Sequence, residues 1–402
     1  MLYLDHAATT PVRPEVLEAM LPYLTDRFGN PSSHHTVGEA AASALADARA
    51  RVADVLGVRA SDVVFTSGGT EADNLAIKGL AIGALLRRRD PRRALGTPSA
   101  LNTSSTAGMA EPPVHVITTA IEHEAVLASC DYLERVHGMA VTRLAVDATG
   151  TVSPDNLAAA IRPETAVVSI GYANNEVGTV QDVAALSAVT AAARVPLHLD
   201  AVQAAGWLPL RGTGADALSI AGHKLGAPAG IGVLAVGSRL PLEPVLHGGG
   251  QERDRRSGTE TVAGAVGLAV ALERAEAERA EASARVGALR DRFARRVLSL
   301  VPTARLTGHP TRRLPGTASF TFAGTSGEAV LLELERRGVV TSSGSACAAG
   351  SDEPSHVLLA CGIDPATAQT AVRFTFAHGH TADLDPVADA VAAAVAAVRS
   401  GA

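Results

Sequence analysis

From Asp62 to Val236 the chain repeats one rhythm: a short β-branched run, a polar cluster, then an Ala-rich or amphipathic stretch long enough for a helix. Strands separated by helix-length crossovers pair in parallel, so the rhythm predicts a mostly parallel sheet covered by helices on both faces. Seven runs read as strands: Val63–Thr66, Val114–Ile117, Val141–Leu144, Val167–Ile170, Leu197–Leu199, Leu218–Ile220 and Ile231–Leu234. The polar clusters follow the carboxyl ends of these runs, where an open α/β sheet has its ligand crevice.

After this region a helical pattern with alternating charges runs from about Gly264 to Leu300, followed by two further strand patterns, Ala318–Phe322 and Val372–Phe376. These predict a second, smaller α+β domain. The expected division is a large domain over 12–260 and a small one built from 1–11 and 261–402, and a composition 47% hydrophobic and 19% charged can bury both cores. Between Arg87 and Pro113 the chain turns Arg-rich and then rich in Ser, Thr, Ala, Gly and Pro, a solvated insertion without periodicity. The five arginines between Arg87 and Arg93 have no interleaved aromatics and read as an exposed helix end rather than a nucleic-acid surface.

A net charge of −6 offers nucleic acid or an anionic membrane no general attraction. The chain opens on Leu2-Tyr3-Leu4-Asp5 without a basic and apolar leader, and no apolar run approaches the ~20 residues of a membrane span. The expected location is the cytoplasm and the expected partner a small molecule or a protein. Three cysteines, Cys130, Cys347 and Cys361, are too few and scattered for a disulfide framework or a zinc site. His34-His35 and His378-Gly379-His380 lack a third ligand in their local pattern, so no metal is expected.

Only two lysines stand among 402 residues, Lys78 and Lys224. An unprotonated lysine amine can form a Schiff base with a carbonyl and arginine cannot, so a lysine at a strand end is a candidate anchor for pyridoxal phosphate. Lys224 follows the run Ala217–Ala221 in such a place, whereas Lys78 reads as a residue on a solvated helix face. Four other strand ends carry suitable chemistry. Thr66-Ser67-Gly68-Gly69-Thr70-Glu71 can close backbone N–H groups around a phosphate at the start of a helix. Asp200 can keep a pyridine nitrogen protonated, with Gln203 beside it. Asn174-Asn175-Glu176 and Glu122-His123-Glu124 complete the set. Taken singly, each has a plain structural reading: a helix cap, a surface amide, an Asx turn, a capped helix start with a solvated histidine.

Taken together with the motifs along the rest of the chain, these residues resemble the cysteine desulfurases of the NifS/IscS type. Those enzymes belong to the class V aminotransferase branch of fold-type I pyridoxal-phosphate enzymes. The resemblance runs from Tyr3–Pro11 and Phe28–Ser33 through His247–Arg253 and Arg256–Thr259 to Ser342-Ser343-Gly344-Ser345-Ala346-Cys347, the motif that marks the branch with its cysteine on a longer loop. It implies that Lys224 carries the cofactor, that Asp200 pairs with the ring nitrogen, and that His123 stacks on the ring and moves protons. Gln203 and Asn175 would contact the ring hydroxyl and the substrate carboxylate side, and Arg373 would clamp the substrate carboxylate. Gly69, Thr70 and His223 would hold the phosphate, joined by Thr259 from a neighbouring subunit of a homodimer. Cys347 would be the nucleophile that takes sulfur from L-cysteine as a persulfide, leaving alanine, and would pass it to an acceptor protein such as an iron–sulfur scaffold or a thio-cofactor, tRNA or DNA modification system.

Cys130 and Cys361, in helix-like apolar segments, are expected in the core. Selenocysteine lyase or another class V aminotransferase would share every cofactor residue, and a non-enzymatic sulfur relay would keep the fold. Two departures from the family pattern stand out. Ala221 replaces the usual Ser or Thr before Gly-His-Lys, which removes a hydroxyl from the phosphate cup, and the Arg92–Glu111 insertion is longer than the usual connection.

Overall fold

The computed structural model describes residues 1–89, 112–343 and 353–401. The Arg92–Glu111 insertion and Cys347 lie outside the described residues. A central sheet joins β2 (Val63–Thr66), β3 (His115–Thr119), β4 (Ala140–Leu144), β5 (Thr165–Gly171), β6 (Leu197–Asp200), β7 (Ala217–Ala221) and β8 (Gly232–Val236). Its order is β2-β8-β7-β6-β5-β3-β4. All pairings are parallel except those of β8, which lies antiparallel between β2 and β7. The physical reason is the short connection 222–231, which permits a reversal but not a helical crossover. With β8 alone reversed, Thr66, Thr119, Gly171, Asp200 and Ala221 end their strands on one edge of the sheet.

Alternation along the strands divides two cores between the two faces. Val63, Phe65, Ile117, Ile170, Leu199 and Ile220 face a core completed by α1 (Pro14–Leu24), α2 (Thr36–Leu56) and the first half of a long helix. Val64, Val116 and Leu234 face the other, completed by α3 (Gly69–Arg89) and α4 (Glu124–His137). Helices α5 (Pro154–Ala160) and α6 (Val183–Ala193) add Leu157 and Leu186 to the first core. A turn, α7 (Gln251–Asp254), holds Glu252, Arg253 and Asp254 at φ of 51°, 59° and 62°. Buried Glu252 anchors it by gripping Arg49 at 2.5 and 2.7 Å and accepting the Phe65 N–H at 3.1 Å.

The long helix α8 (Val262–Leu300) serves both parts of the molecule. Ala263 to Ala275 pack into the central core, while Val286, Phe293, Ala294 and Val297 enter the core of the smaller part. There β9 (Ala304–Leu306), β10 (Thr317–Phe322) and β12 (Val372–Thr375) form an antiparallel sheet, flanked by α9 (Gly327–Arg336) and α12 (Asp385–Ser400). Five of the seven phenylalanines meet in it, with the Phe293 ring 6.0, 5.1 and 5.8 Å from Phe320, Phe374 and Phe376. Burying each ring stabilises this core by about 2 kcal/mol.

β1 (Leu2–Tyr3) pairs in parallel with β11 (Val339–Val340), which brings residues 4–10 back across the edge of the central sheet. Two short helices, α10 (His356–Ala360) and α11 (Pro365–Ala368), join the parts through a cluster of Val357, Leu358 and Ala368 with Ile121 and Val177. Lys78 differs from expectation: it is half-buried, with its ammonium 4.4 Å from the centre of the Tyr132 ring, and burial lowers its pKa. A cation on an aromatic face keeps favourable electrostatics without full hydration.

Candidate active site

The phosphate side is built by the turn from β2 into α3. The Ser67 N–H donates to Glu71 Oε2 at 2.7 Å, and Arg256 grips the same carboxylate at 2.8 and 3.2 Å. Burial pushes the Glu71 pKa up, but Arg256 and Ser67 outweigh it and hold the group below its ordinary range. Glycine fits closely at 69, where a Cβ would sit 2.7 Å from Val202 Cγ2 and force that side chain to shift. Gly69 and Thr70 line a cavity of 440 Å³ with the first turn of α3 behind them, whose unpaired N–H groups and dipole favour an anion.

The residues after β7 close the next wall. Lys224 Nζ donates to the carbonyls of Ala7 and Ala8, the latter at 2.7 Å, and Gln203 Nε2 donates to Ala7 O at 3.1 Å. The neighbouring turn is stitched down by Thr10, whose N–H and hydroxyl both donate to His223 O, at 3.0 and 2.8 Å. Burial, helped by the charge of Lys224, lowers the His223 pKa to about 4, so the ring is neutral near pH 7 and can serve as a hydrogen-bond partner.

Three acids form the floor. Asp200 accepts the Val202 N–H at 2.9 Å; burial raises its pKa, opposed by that hydrogen bond and by the charges of His123 and Lys224. Glu122, 4% exposed, accepts from Thr119 Oγ1 at 2.6 Å and from the Gly171 N–H at 2.7 Å, and burial pushes its pKa up to about 8. Asp73, 2% exposed, is held well above the ordinary carboxylate range by burial and by the nearby charge of Asp200. Behind them His198 is fixed between Ser169 and Ser219 at 2.9 and 2.8 Å, and burial lowers its pKa to about 3. Sequence reasoning missed Asp73 and gave Glu122, quoted beside His123, no role of its own. Their signals were present: a carboxylate among Ala72, Leu75 and Ala76 on the apolar face of α3, and a second acid beside His123.

His123 caps α4, its Nδ1 accepting the Ala125 N–H at 3.1 Å, which puts the hydrogen of the neutral ring on Nε2. From the smaller part, Arg373 on β12 reaches the same cavity, donating to Asn175 O at 2.9 Å and to Asp5 Oδ1 at 2.8 Å. The cavity therefore gathers Gly69, Thr70, His123, Asn175 and Asp200 with Gln203, His223, Lys224 and Arg373. Thr259 does not line it and is exposed, and Cys347 is outside the described residues. Cys130 and Cys361 are buried, and burial raises their thiols to about 12 and about 11, so neither supplies thiolate near neutral pH.

The class V aminotransferase sequence profile matches residues 2–90 and 96–385. A cysteine desulfurase IscS from Methanosarcina thermophila is 42% identical over 402 residues, covering 99% of this chain and 93% of that protein. The chain belongs to the class V aminotransferases, in their cysteine desulfurase branch. Among solved structures, a NifS-like protein superimposes with a TM-score of 0.83 at 32% identity, over 99% of this chain and 98% of that one. SspA, solved in complex with cysteine, gives a TM-score of 0.75 at 35% identity, over 94% of this chain and 99% of that one.

The family depends on pyridoxal phosphate, and the residues here fit that group. The cavity offers an amine at Lys224, a desolvated carboxyl at Asp200 for a ring nitrogen, and an anion-seeking helix start with Thr70 and neutral His223 for a phosphate. Ala221 is 2% exposed and lines the cup, so this wall carries no hydroxyl at that position. Among the described residues no group of three or more His, Cys, Asp and Glu is arranged to hold a metal ion, and no helix is long and apolar enough to cross a membrane.

Proposed function

We propose that the protein removes sulfur from L-cysteine with Lys224 as base and cofactor anchor and Cys347 as sulfur acceptor, forming alanine and a persulfide. The observation that carries this reading is the convergence of Lys224, Asp200, His123 and Arg373 on one cavity. Pyridoxal phosphate bound there supplies an electron sink for the negative charge that develops at the substrate Cα.

The chain's own residues do the rest. Arg373, which lines the cavity from the smaller part, receives the substrate carboxylate. The Lys224 amine takes the Cα proton, Asp200 holds the charge that keeps the ring nitrogen protonated, and His123 hands protons to and from its Nε2. Cys347 attacks the substrate sulfur as thiolate, the electrons of the broken C–S bond go to the substrate β-carbon, and protonation there together with return of a proton to Cα yields alanine. The persulfide on Cys347 is then passed to an acceptor protein, in keeping with a cytoplasm that holds thiols reduced.

The working unit is a homodimer. Leu17, Leu21 and Leu24 recur at helical spacing on α1 and are 55%, 54% and 59% exposed, with Phe28 beyond them at 68%. Such a stripe suits burial against a second copy. Exposed Thr259 then serves the partner's phosphate rather than its own. The two domains are 12–260 and 1–11 with 261–402, joined through α8. The test is stoichiometry: purified protein given L-cysteine and a thiol reductant should produce alanine and sulfide in equal amounts, and alanine without sulfide would contradict the reading.

A further inference from the structure

Arg373 is 1% exposed, and its guanidinium is held on two sides. One terminal nitrogen donates to the main-chain carbonyl of Asn175, at 2.9 Å; the other donates to Asp5 Oδ1, at 2.8 Å. Nε is buried and has no hydrogen-bond partner among the described residues. Asp5 is itself fixed by the main chain around it, since it bridges Thr375 two residues beyond Arg373 and its carbonyl accepts from Tyr3 Oη at 2.9 Å. Arg373 lines the cofactor cavity and Asp5 does not, so the acid holds the guanidinium from behind.

We propose that Asp5 is a positioning residue that sets the substrate-carboxylate clamp by orienting Arg373, an inference that rests on Arg373 receiving the carboxylate of L-cysteine. A guanidinium has five N–H donors in a rigid fork. With Asn175 and Asp5 each holding one terminal nitrogen, the planar group is fixed in one orientation against the cavity that Arg373 lines. An arginine without these anchors would spend affinity on freezing a rotamer-rich side chain each time substrate binds. The acid also carries a cost, because its charge offsets part of the attraction between Arg373 and the substrate. The arrangement trades raw attraction for a fixed direction.

The test uses the cofactor-loaded full-length enzyme with L-cysteine and with cysteine methyl ester, which lacks the carboxylate charge. Asp5→Ala should raise KM for L-cysteine about tenfold, the loss expected when a hydrogen bond to a charged group is removed. It should change kcat far less and leave the ester's kinetics unaltered. Asp5→Asn, which can still accept from Arg373, should restore most of the loss. Should Asp5→Ala not fold, Asp5→Ser carries the same expectation, because its hydroxyl is too short to reach the guanidinium. An unchanged KM for L-cysteine, or an equal rise for the ester, overturns the role of Asp5. Arg373→Gln separates the two levels: if it leaves KM for L-cysteine unchanged, the carboxylate role of Arg373 itself falls.

Discussion

The amine of Lys224 is held by the main chain of a segment more than two hundred residues away, donating to Ala8 O at 2.7 Å and to Ala7 O beside it. The N-terminal segment is thus a wall of the candidate active site. It aims the lysine into the cavity before any substrate arrives, and Gln203 reaches the same Ala7 carbonyl, so lysine and amide are set against one reference point.

Removing the amine should therefore abolish chemistry without unfolding the chain. Lys224→Ala is expected to lose the visible absorbance of lysine-bound cofactor and to lower turnover by at least ~10³-fold, since both the covalent anchor and the base disappear. Absorbance spectra and a sulfide assay check this. Wild-type turnover in the variant would remove Lys224 from the mechanism.

Glu122 gives stability a pH dependence whose sign can be worked out. Its ordinary pKa is 4.5 and burial raises it to about 8, so between these values the folded state keeps a proton that the unfolded state has lost. Its contribution is complete below the lower value and is lost as pH rises towards the upper one, at up to ~1.4 kcal/mol per pH unit. Glu122→Gln carries no such proton, so urea unfolding should show the variant gaining on the wild type by roughly 1–3 kcal/mol from about pH 5 to about pH 8. Asp73 and Asp200 are present in both proteins and interact with the Glu122 charge, so the gain read in the comparison includes those couplings. Parallel pH profiles would mean that Glu122 is already ionised in the fold.

The exposed leucines of α1 predict an assembly. Leu21→Glu would place an unpaired carboxylate in the proposed interface at a cost of several kcal/mol, while costing little on a solvated helix face. Sedimentation should find a dimer for the wild type and monomer for the variant. Because Thr259 completes the neighbour's phosphate site in this account, the monomer should also lose cofactor more readily. A dimer of unchanged affinity would move the interface elsewhere.

Much of this was legible in the sequence because the strands are buried on both faces and the site sits at their ends. Val63–Thr66 was readable residue for residue, and the other strand patterns fell within two residues of the observed bounds. The reversed direction of β8 was not readable from periodicity, which is the same for either sense; it follows from the length of the connection 222–231. Strands β1, β9 and β11, of two or three residues, are too short for any pattern to show. Lys224, Asp200 and His123 could be found because each stands at a strand end where polar residues are out of place unless used. Asp73 was hidden inside a helix, and the Ala7 and Ala8 carbonyls belong to residues whose side chains carry no signal.

The central claim is that sulfur passes from L-cysteine to Cys347, and it is tested most directly by mass analysis of the protein after a single turnover. The peptide containing Cys347 should gain one sulfur. Cys347→Ser should still bind the cofactor and L-cysteine but release almost no alanine or sulfide, because a serine hydroxyl supplies no thiolate. The added sulfur found instead on Cys130 or Cys361, whose buried thiols sit at about 12 and about 11, or full activity in Cys347→Ser, would contradict the account.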